Sequence, residues 1–331
     1  MKNFTYYRPA SAEQAVGLLD ARWGTSELLA GGTDLLDLQK EYVAKPDKVI
    51  SLSAVKGLSA IEETPEALKI GAFAKLAEIA AHATVKKEFP ALAVAAGDIG
   101  GPQIRNMGTL GGNLCQRNRC WYFRDEHVNC LLKGGDKCFA LDGENRYHAV
   151  FTRGHQCVIV HPSTLAPGLI ALGATAEILG PKGKRTISLD KFFFAPNSAA
   201  DREHVLASNE VVLSVTVPRQ GRKNASYEVR HKQSYDWPLV QAAVSFKLDA
   251  GKASDVRIVL GHVAPTPHVA EGAAKAIEGK AIDQASARAA GDAAPEGAKA
   301  LSQNGYKLRL ISVAVKRALV AASGGEKYWE V

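Results

Sequence analysis

LLAGGTDLL, residues 28–36, and IRNMGTLGGNLC, residues 104–115, are the stretches on which the fold turns. In the first, two adjacent glycines follow an apolar pair that reads as the end of a strand. Glycines let the backbone approach a ligand closely and reach φ values that other residues avoid. Their free N–H groups can converge on a phosphate, and Thr33 adds a hydroxyl. The stretch is not GxGxxG, because no third glycine opens a helix, and it lacks the GK[ST] end of a P-loop. Alone, it reads as a tight strand-to-helix turn. GTLGGN at 108–113 is a second cluster of glycine and hydroxyl. Two such loops in one domain can clasp a pyrophosphate from both sides, which points to a dinucleotide without naming it.

Outward from these loops, the first segment reads β–α–β. Phe4 to Arg8 is a strand, Ser11 to Leu19 a helix opened by a Ser cap in SAEQ, and Lys48 to Leu52 a buried strand. Leu68 to Phe73 is a strand, followed by helices over Leu76–His82 and Pro90–Gly97. The stretch 99–114 reads as loop and turn. Beyond the second glycine loop, Cys157 to Val160 reads as a strand, Leu165 to Leu172 as a helix, and Ala174 to Leu179 as a strand before the turn GPKGK. Val211 to Val217 is a strand, and a polar linker near 218–224 marks a boundary. Strands follow at Ala225–Arg230, Val240–Leu248 and Val256–Val263. Helices near 268–277, 283–292 and 308–322 close the chain, the last with apolar residues at 311, 314, 315, 318, 319 and 322.

At 331 residues two or three domains are expected. The net charge of +7 is scattered among acids, which argues for a solvated basic surface and against a nucleic-acid partner. No run approaches the ~20 apolar residues of a membrane span. The N-terminus has no apolar leader, so the expectation is a cytoplasmic protein, or one exported folded with a partner that carries the signal.

The two glycine loops together resemble the flavin-binding (medium) subunit of the molybdenum hydroxylases, the xanthine dehydrogenase, carbon monoxide dehydrogenase and aldehyde oxidoreductase group. VIVHPSTLAPGLIALGATAEI at 158–178, VVLSVTVP at 211–218, SYDWPLVQAAV and RIVLGHVAPTPHVAEGA extend the likeness over most of the chain. The resemblance implies an α+β fold. A two-lobed FAD-binding domain of the vanillyl-alcohol-oxidase (PCMH) type would occupy 1–60 and 61–220. A C-terminal α+β domain, a small antiparallel sheet with a helical bundle, would occupy 221–331. It implies FAD, with Leu29, Ala30, Gly31, Gly32, Thr33, Asp34 and Leu35 around the pyrophosphate on one side and Gly108, Thr109, Gly111, Gly112 and Asn113 on the other. It also places Leu213 against the isoalloxazine and offers Asp142 and Lys232 as further flavin contacts. Thr164 departs from the family, which often has Asp there.

CQRNRCWYFRDEHVNCLLKGGDKC, residues 115–138, holds four of the five cysteines. Disulfides need an oxidising compartment. Zinc sites favour CxxC pairs, whereas the gaps here are four, nine and seven residues. Spacing alone leaves zinc and an iron–sulfur cluster about equal. The position directly after the second glycine loop favours iron–sulfur, as do Arg117, Arg119, Arg124, Lys133 and Lys137, which could offset thiolate charge. The segment is most similar to the aldehyde oxidoreductase branch, which with the hydroxybenzoyl-CoA reductase branch carries a 4Fe–4S cluster in the flavin subunit. That likeness implies Cys115, Cys120, Cys130 and Cys138 as ligands, with Cys157 a buried core residue.

The resulting expectation is an electron-transfer subunit without a general acid or base of its own. Its partners would be a molybdenum-cofactor large subunit, a 2Fe–2S small subunit and an external acceptor (ferredoxin, quinone or oxygen). The alternatives are a subunit of a xanthine dehydrogenase-, CO dehydrogenase- or hydroxybenzoyl-CoA reductase-like complex, a stand-alone flavin oxidoreductase with a zinc-stapled loop, and a zinc-stabilised scaffold.

Overall fold

Ser11 opens the first helix as its sequence requires: its Oγ accepts the Gln14 N–H at 3.2 Å, satisfying one of the free donors of a helix N-terminus. The computed structural model describes residues 1–330. Its first unit runs β1 (Thr5–Tyr7), α1 (Ala12–Leu18), β2 (Ser26–Leu29), α2 (Leu35–Lys40) and β3 (Lys48–Ser51). The strands form a parallel sheet in the order β1-β3-β2. Leu29 pairs with Ser51 at the end of the ladder, so the chain leaves the sheet directly into Ala30-Gly31-Gly32. The small core under this sheet joins Ala15, Val16 and Ile50 to Leu179 and Val211 from later in the chain.

The second unit begins with β4 (Ile61–Glu63) and β5 (Ala67–Gly71). Seven helices follow: α3 (Leu76–Ala81), α4 (Ala83–Glu88), α5 (Pro90–Asp98), α6 (Pro102–Met107), α7 (Leu110–Cys115), α8 (Trp121–Arg124) and α9 (Leu165–Ala171). β6 (Thr175–Gly180), β7 (Gly183–Ser188) and β8 (Val211–Pro218) complete an antiparallel sheet in the order β4-β5-β8-β6-β7. Leu68, Ile70, Ala176, Ile178, Val215 and Val217 build one core with Leu92, Leu165 and Leu169 of the helices.

Two sequence expectations fail in this unit. Residues 99–114 are not loop: they form α6 and α7. Pro102 supplies the preset φ of a first helical turn, and the Thr109 Oγ1 caps α7 by accepting the Gly112 N–H at 3.1 Å. Cys157 to Val160 is extended but belongs to no strand. Its apolar character comes from packing against the cysteine segment, where Cys157 and Ile159 join Phe123, Cys130 and Leu132.

The third unit is an antiparallel sheet, order β12-β11-β10-β9, made of β9 (Lys223–Val229), β10 (Val240–Asp249), β11 (Lys252–Gly261) and β12 (His268–Val269). It is covered by α10 (Glu271–Ile277), α11 (Gln284–Ala293) and α12 (Tyr306–Ser323). The apolar stripe of α12, Ile311, Ala314, Val315, Ala318, Leu319 and Ala322, is buried throughout. Gly291 lets α11 approach α12: a Cβ there would lie 2.5 Å from the Ser312 carbonyl oxygen. Among the described residues no helix is long and apolar enough to cross a membrane.

Candidate functional site

A cavity of about 610 Å³ lies between the first sheet and the second unit, within the size range of small-molecule sites. Both glycine loops reach it. Gly31 is packed so tightly that a Cβ would stand 1.9 Å from the Met107 carbonyl oxygen, so the two loops touch backbone to backbone. Gly32 adopts φ +77°, a left-handed conformation that glycine alone takes without strain. Among the described residues the N–H groups of Gly31, Gly32 and Thr33 have no acceptor. Those of the second loop are engaged: Leu110 N–H bonds Ala74 O at 3.0 Å and Gly111 N–H bonds Ala72 O at 2.8 Å. The first loop therefore offers amides to an anion, while the second is a buttress set against β5 and its turn.

Guanidiniums flank the cavity. The Arg202 guanidinium lies 4.6 Å from the Trp23 ring and 4.0 Å from Glu27. Burial, then the nearby Arg117, push its pKa down to about 10. Arg117 pairs with the wholly buried Glu203 at 2.7 Å and lies over Phe123 at 4.7 Å. Burial raises the Glu27 carboxyl above its ordinary value, with the same two arginines opposing the rise. An anionic ligand entering between Arg202 and Arg117 would relieve this crowding of positive charge.

Asp34 faces away from an anion. Its carboxylate accepts from Arg124 Nη2 at 2.6 Å and from the Arg117 N–H at 2.9 Å, and pairs with Arg119 at 3.1 Å. Asp37 takes a second pair of contacts from Arg119 and Arg124. These arginines are thus committed to carboxylates of the first glycine loop and α2, not to thiolates as the sequence suggested. Of the basic residues expected beside the thiols, Lys133 is the one that faces them, next to Cys130.

The cysteines divide differently from their order in sequence. Cys115, at the end of α7, packs into the core of the second unit, and burial alone pushes its thiol up to about 12. No other thiol acts on it. Cys120, Cys130 and Cys138 do act on one another, and Cys157 joins them. It shares a hydrogen bond with Cys138 that holds Cys138 down and drives Cys157 up. Of the expected set of Cys115, Cys120, Cys130 and Cys138, Cys115 packs on the core of the second unit, while Cys120 and Cys130 share one apolar cluster with Cys157. All five cysteines are free. Among the described residues no three His, Cys, Asp or Glu side chains converge closely enough to grip a single ion.

A group of aromatic residues packs beside Cys120. Tyr122 stacks on Phe139 at 6.0 Å, and its hydroxyl accepts the Glu144 N–H at 2.7 Å. Trp121 meets His148 edge-on at 5.5 Å. Burial pushes the His148 pKa down to about 4, so its ring is neutral, with Nε2 3.2 Å from Cys120 Sγ.

Residues 2–220 match the family model of the FAD binding domain in molybdopterin dehydrogenase, and residues 225–322 match the CO dehydrogenase flavoprotein C-terminal domain. The chain belongs to the FAD-binding subunits of the molybdenum hydroxylases. It is 37% identical over 273 residues to the aldehyde oxidoreductase FAD-binding subunit PaoB of Escherichia coli strain K12, covering 81% of this chain and 83% of that one. It is 30% identical to the carbon monoxide dehydrogenase medium chain of Hydrogenophaga pseudoflava, over 96% of both chains. The solved structure of carbon monoxide dehydrogenase from that organism superposes with a TM-score of 0.75 at 30% identity, over 97% and 98% of the two chains.

The cleft of this FAD subunit fits its cofactor. Ala30, Gly31, Gly32, Thr33, Asp34, Leu35, Thr109, Gly111 and Gly112 line it. Gly108 and Asn113 instead line an adjoining cavity of about 370 Å³ that shares Thr33, Asp34, Thr109 and Gly112 with the first. Leu29 packs behind Gly32. Asn113 is tied to the start of α9: its Oδ1 accepts from Ser163 Oγ at 2.7 Å and from the Leu165 N–H at 3.4 Å.

Three expected contacts lie elsewhere. Leu213 is the extra residue of a β-bulge, since Glu177 pairs with Ser214 and Ile178 with Val212. The bulge re-aims its side chain into the first unit's core, and Val211 and Val212 line the cleft in its place. Asp142 is exposed in the turn after the cysteine segment. Lys232 is exposed in the loop after β9, its N–H held by Asp236 at 3.2 Å. Trp23, Arg202 and His204 were missed in the sequence because they carry no motif and reach the cleft only through folding.

Proposed function

We propose that this FAD subunit belongs to a molybdenum-cofactor aldehyde oxidoreductase and carries a 4Fe–4S cluster on Cys120, Cys130, Cys138 and Cys157. In this reading a molybdenum-bearing large subunit oxidises the aldehyde and a 2Fe–2S small subunit relays the electrons. The present chain delivers them to an external acceptor such as a ferredoxin, a quinone or oxygen. Residues 1–60 and 61–220 act as the two lobes around FAD, and 221–331 as a third unit behind the cysteine segment. Bound FAD supplies the switch between paired and single electrons. The chain's own residues bind it through the amides of Gly31, Gly32 and Thr33, balance its charge with Arg202 and Arg117, and leave the chemistry to the ring.

The observation that carries the cluster is the gathering of four thiols from three stretches of chain around one buried spot. A four-iron cubane takes four thiolates, and four is the number of thiols gathered here. Likeness to PaoB, named as an aldehyde oxidoreductase subunit, supports the substrate class. Asp34 supports the functional link, because it bonds the segment that bears Cys120 to the loop that faces FAD.

The test is anaerobic purification of the chain, alone and co-expressed with its partner subunits, with flavin, iron, sulfide and zinc assays. One FAD with about four irons and four sulfides per chain, in a complex of three different subunits, is expected. Zinc without iron would make the cysteine segment a staple, and a chain that ignores both partners would remove the assignment to a multisubunit enzyme.

A further inference from the structure

We propose that His148 is a positioning residue for electron transfer: its Nε2–H donates to Cys120 Sγ and so raises the reduction potential of the group those thiolates hold. The inference rests on the cluster assigned above. The Nε2 to Sγ distance is 3.2 Å, well inside the range of a hydrogen bond to sulfur. While Cys120 carries its own proton, either partner can donate. Once the sulfur is a ligand it has no proton to give, so Nε2 must carry the hydrogen and Nδ1 must be bare. Nδ1 indeed has no partner among the described residues, which leaves that tautomer open. Reduction adds negative charge to the sulfurs, and an N–H aimed at one of them stabilises the reduced form more than the oxidised.

The ring is held for this task by the third unit of the fold. Asn304 Nδ2 donates to the His148 and Ala149 carbonyls at 3.2 and 3.1 Å. The buried Lys307, on α12, spends its three donors on the carbonyls of Tyr147, His148 and His262, at 2.9, 3.0 and 2.9 Å. Asn145, three residues before His148, exchanges bonds with Gln303 at 3.1 and 3.0 Å and reaches Ser302 at 2.9 Å. Trp121 closes one side of the ring. A histidine placed only to fill space would not need its backbone pinned from another unit by a lysine and an asparagine.

The test is an EPR-monitored redox titration of the whole iron-loaded protein carrying His148→Phe or His148→Gln. The Phe variant keeps the volume and loses the donor, and the Gln variant restores an N–H near the Nε2 position. The cluster potential should fall in H148F and return most of the way in H148Q, with the flavin potential unmoved in both. An H148F protein with full iron content and the wild-type cluster potential would overturn the role of His148 while leaving the cluster in place. A wild-type protein without iron would overturn the cluster and this inference with it. If H148F fails to load, pulsed EPR on reduced wild-type protein labelled with ¹⁵N-histidine decides. A ¹⁵N coupling with an exchangeable proton supports the bond, and absence of both removes it.

Discussion

Asp34 Oδ1 stands 2.6 Å from Arg124 Nη2, across ninety positions of sequence. The pair joins the loop that presents amides to FAD to the helix that follows Cys120. Both side chains are mostly buried, 18% and 12% exposed. Removing one member of such a pair leaves the other's charge poorly solvated. Asp34→Ala should cost roughly 1–3 kcal/mol in urea unfolding, less than a fully buried pair because Asp37 still serves Arg124. Flavin and iron content should fall together. Loss of iron with full retention of flavin would show that the two sites are mechanically independent.

Gly31 has no room for a methyl group, since its Cβ would meet the Met107 carbonyl at 1.9 Å. Gly31→Ala must part the two loops, and the flavin content of purified protein should drop steeply while the circular dichroism spectrum stays as in wild type. Thr109→Ala removes only the cap on α7 and should cost about 1 kcal/mol, with Thr109→Ser recovering most of it in thermal denaturation.

The glycine loops were legible from the chain because what they do is local: two glycines and a hydroxyl declare a close backbone approach wherever they fold. The α12 stripe was legible for the same reason, period matching burial at each of its six positions. The grouping of the cysteines was not. Spacing is one-dimensional, and nothing in CVIVHP says that this run folds back to bring Cys157 against Cys138. Leu213 was misplaced because a bulge shifts one residue off the strand's alternation, and alternation is all that a strand sequence shows. α6 and α7 were hidden because six residues show little helical period, and α7, with its two glycines, is set by bonds from Leu110 and Gly111 to Ala74 and Ala72.

The division of the thiols makes a paired prediction. Cys115→Ala should leave iron content unchanged and cost modest stability through a lost core contact, whereas Cys157→Ala should abolish iron loading with the flavin spectrum retained. The reverse pattern in iron assays of the two variants would restore the ligand set suggested by spacing.

Glu228 gives a pH-dependent signature. Its side chain is 2% exposed, and burial, then the nearby Asp98, raise its pKa to about 8 against the pull of Arg230. Between its ordinary range and pH 8 the folded chain keeps a proton that the unfolded chain has released. Stability on this account falls as pH rises through that window, by up to about 1.4 kcal/mol per pH unit. Glu228→Gln removes the proton and the penalty together, so in urea unfolding the variant should gain on wild type from pH 5 to pH 8. A constant difference would mean that Glu228 is ionised in the fold.

The clamp of Asn304 and Lys307 on residues 147–149 bears on how the protein is made. The cysteines leave the ribosome early, but Asn304, which fixes the segment after them, is encoded 156 positions after His148. A nascent chain can therefore close its flavin cleft while its thiols are still loosely held. If the proposed cluster is built there, its loading waits for residues 304–307, and a chain cut short before them would keep its glycine loops yet fail to mature.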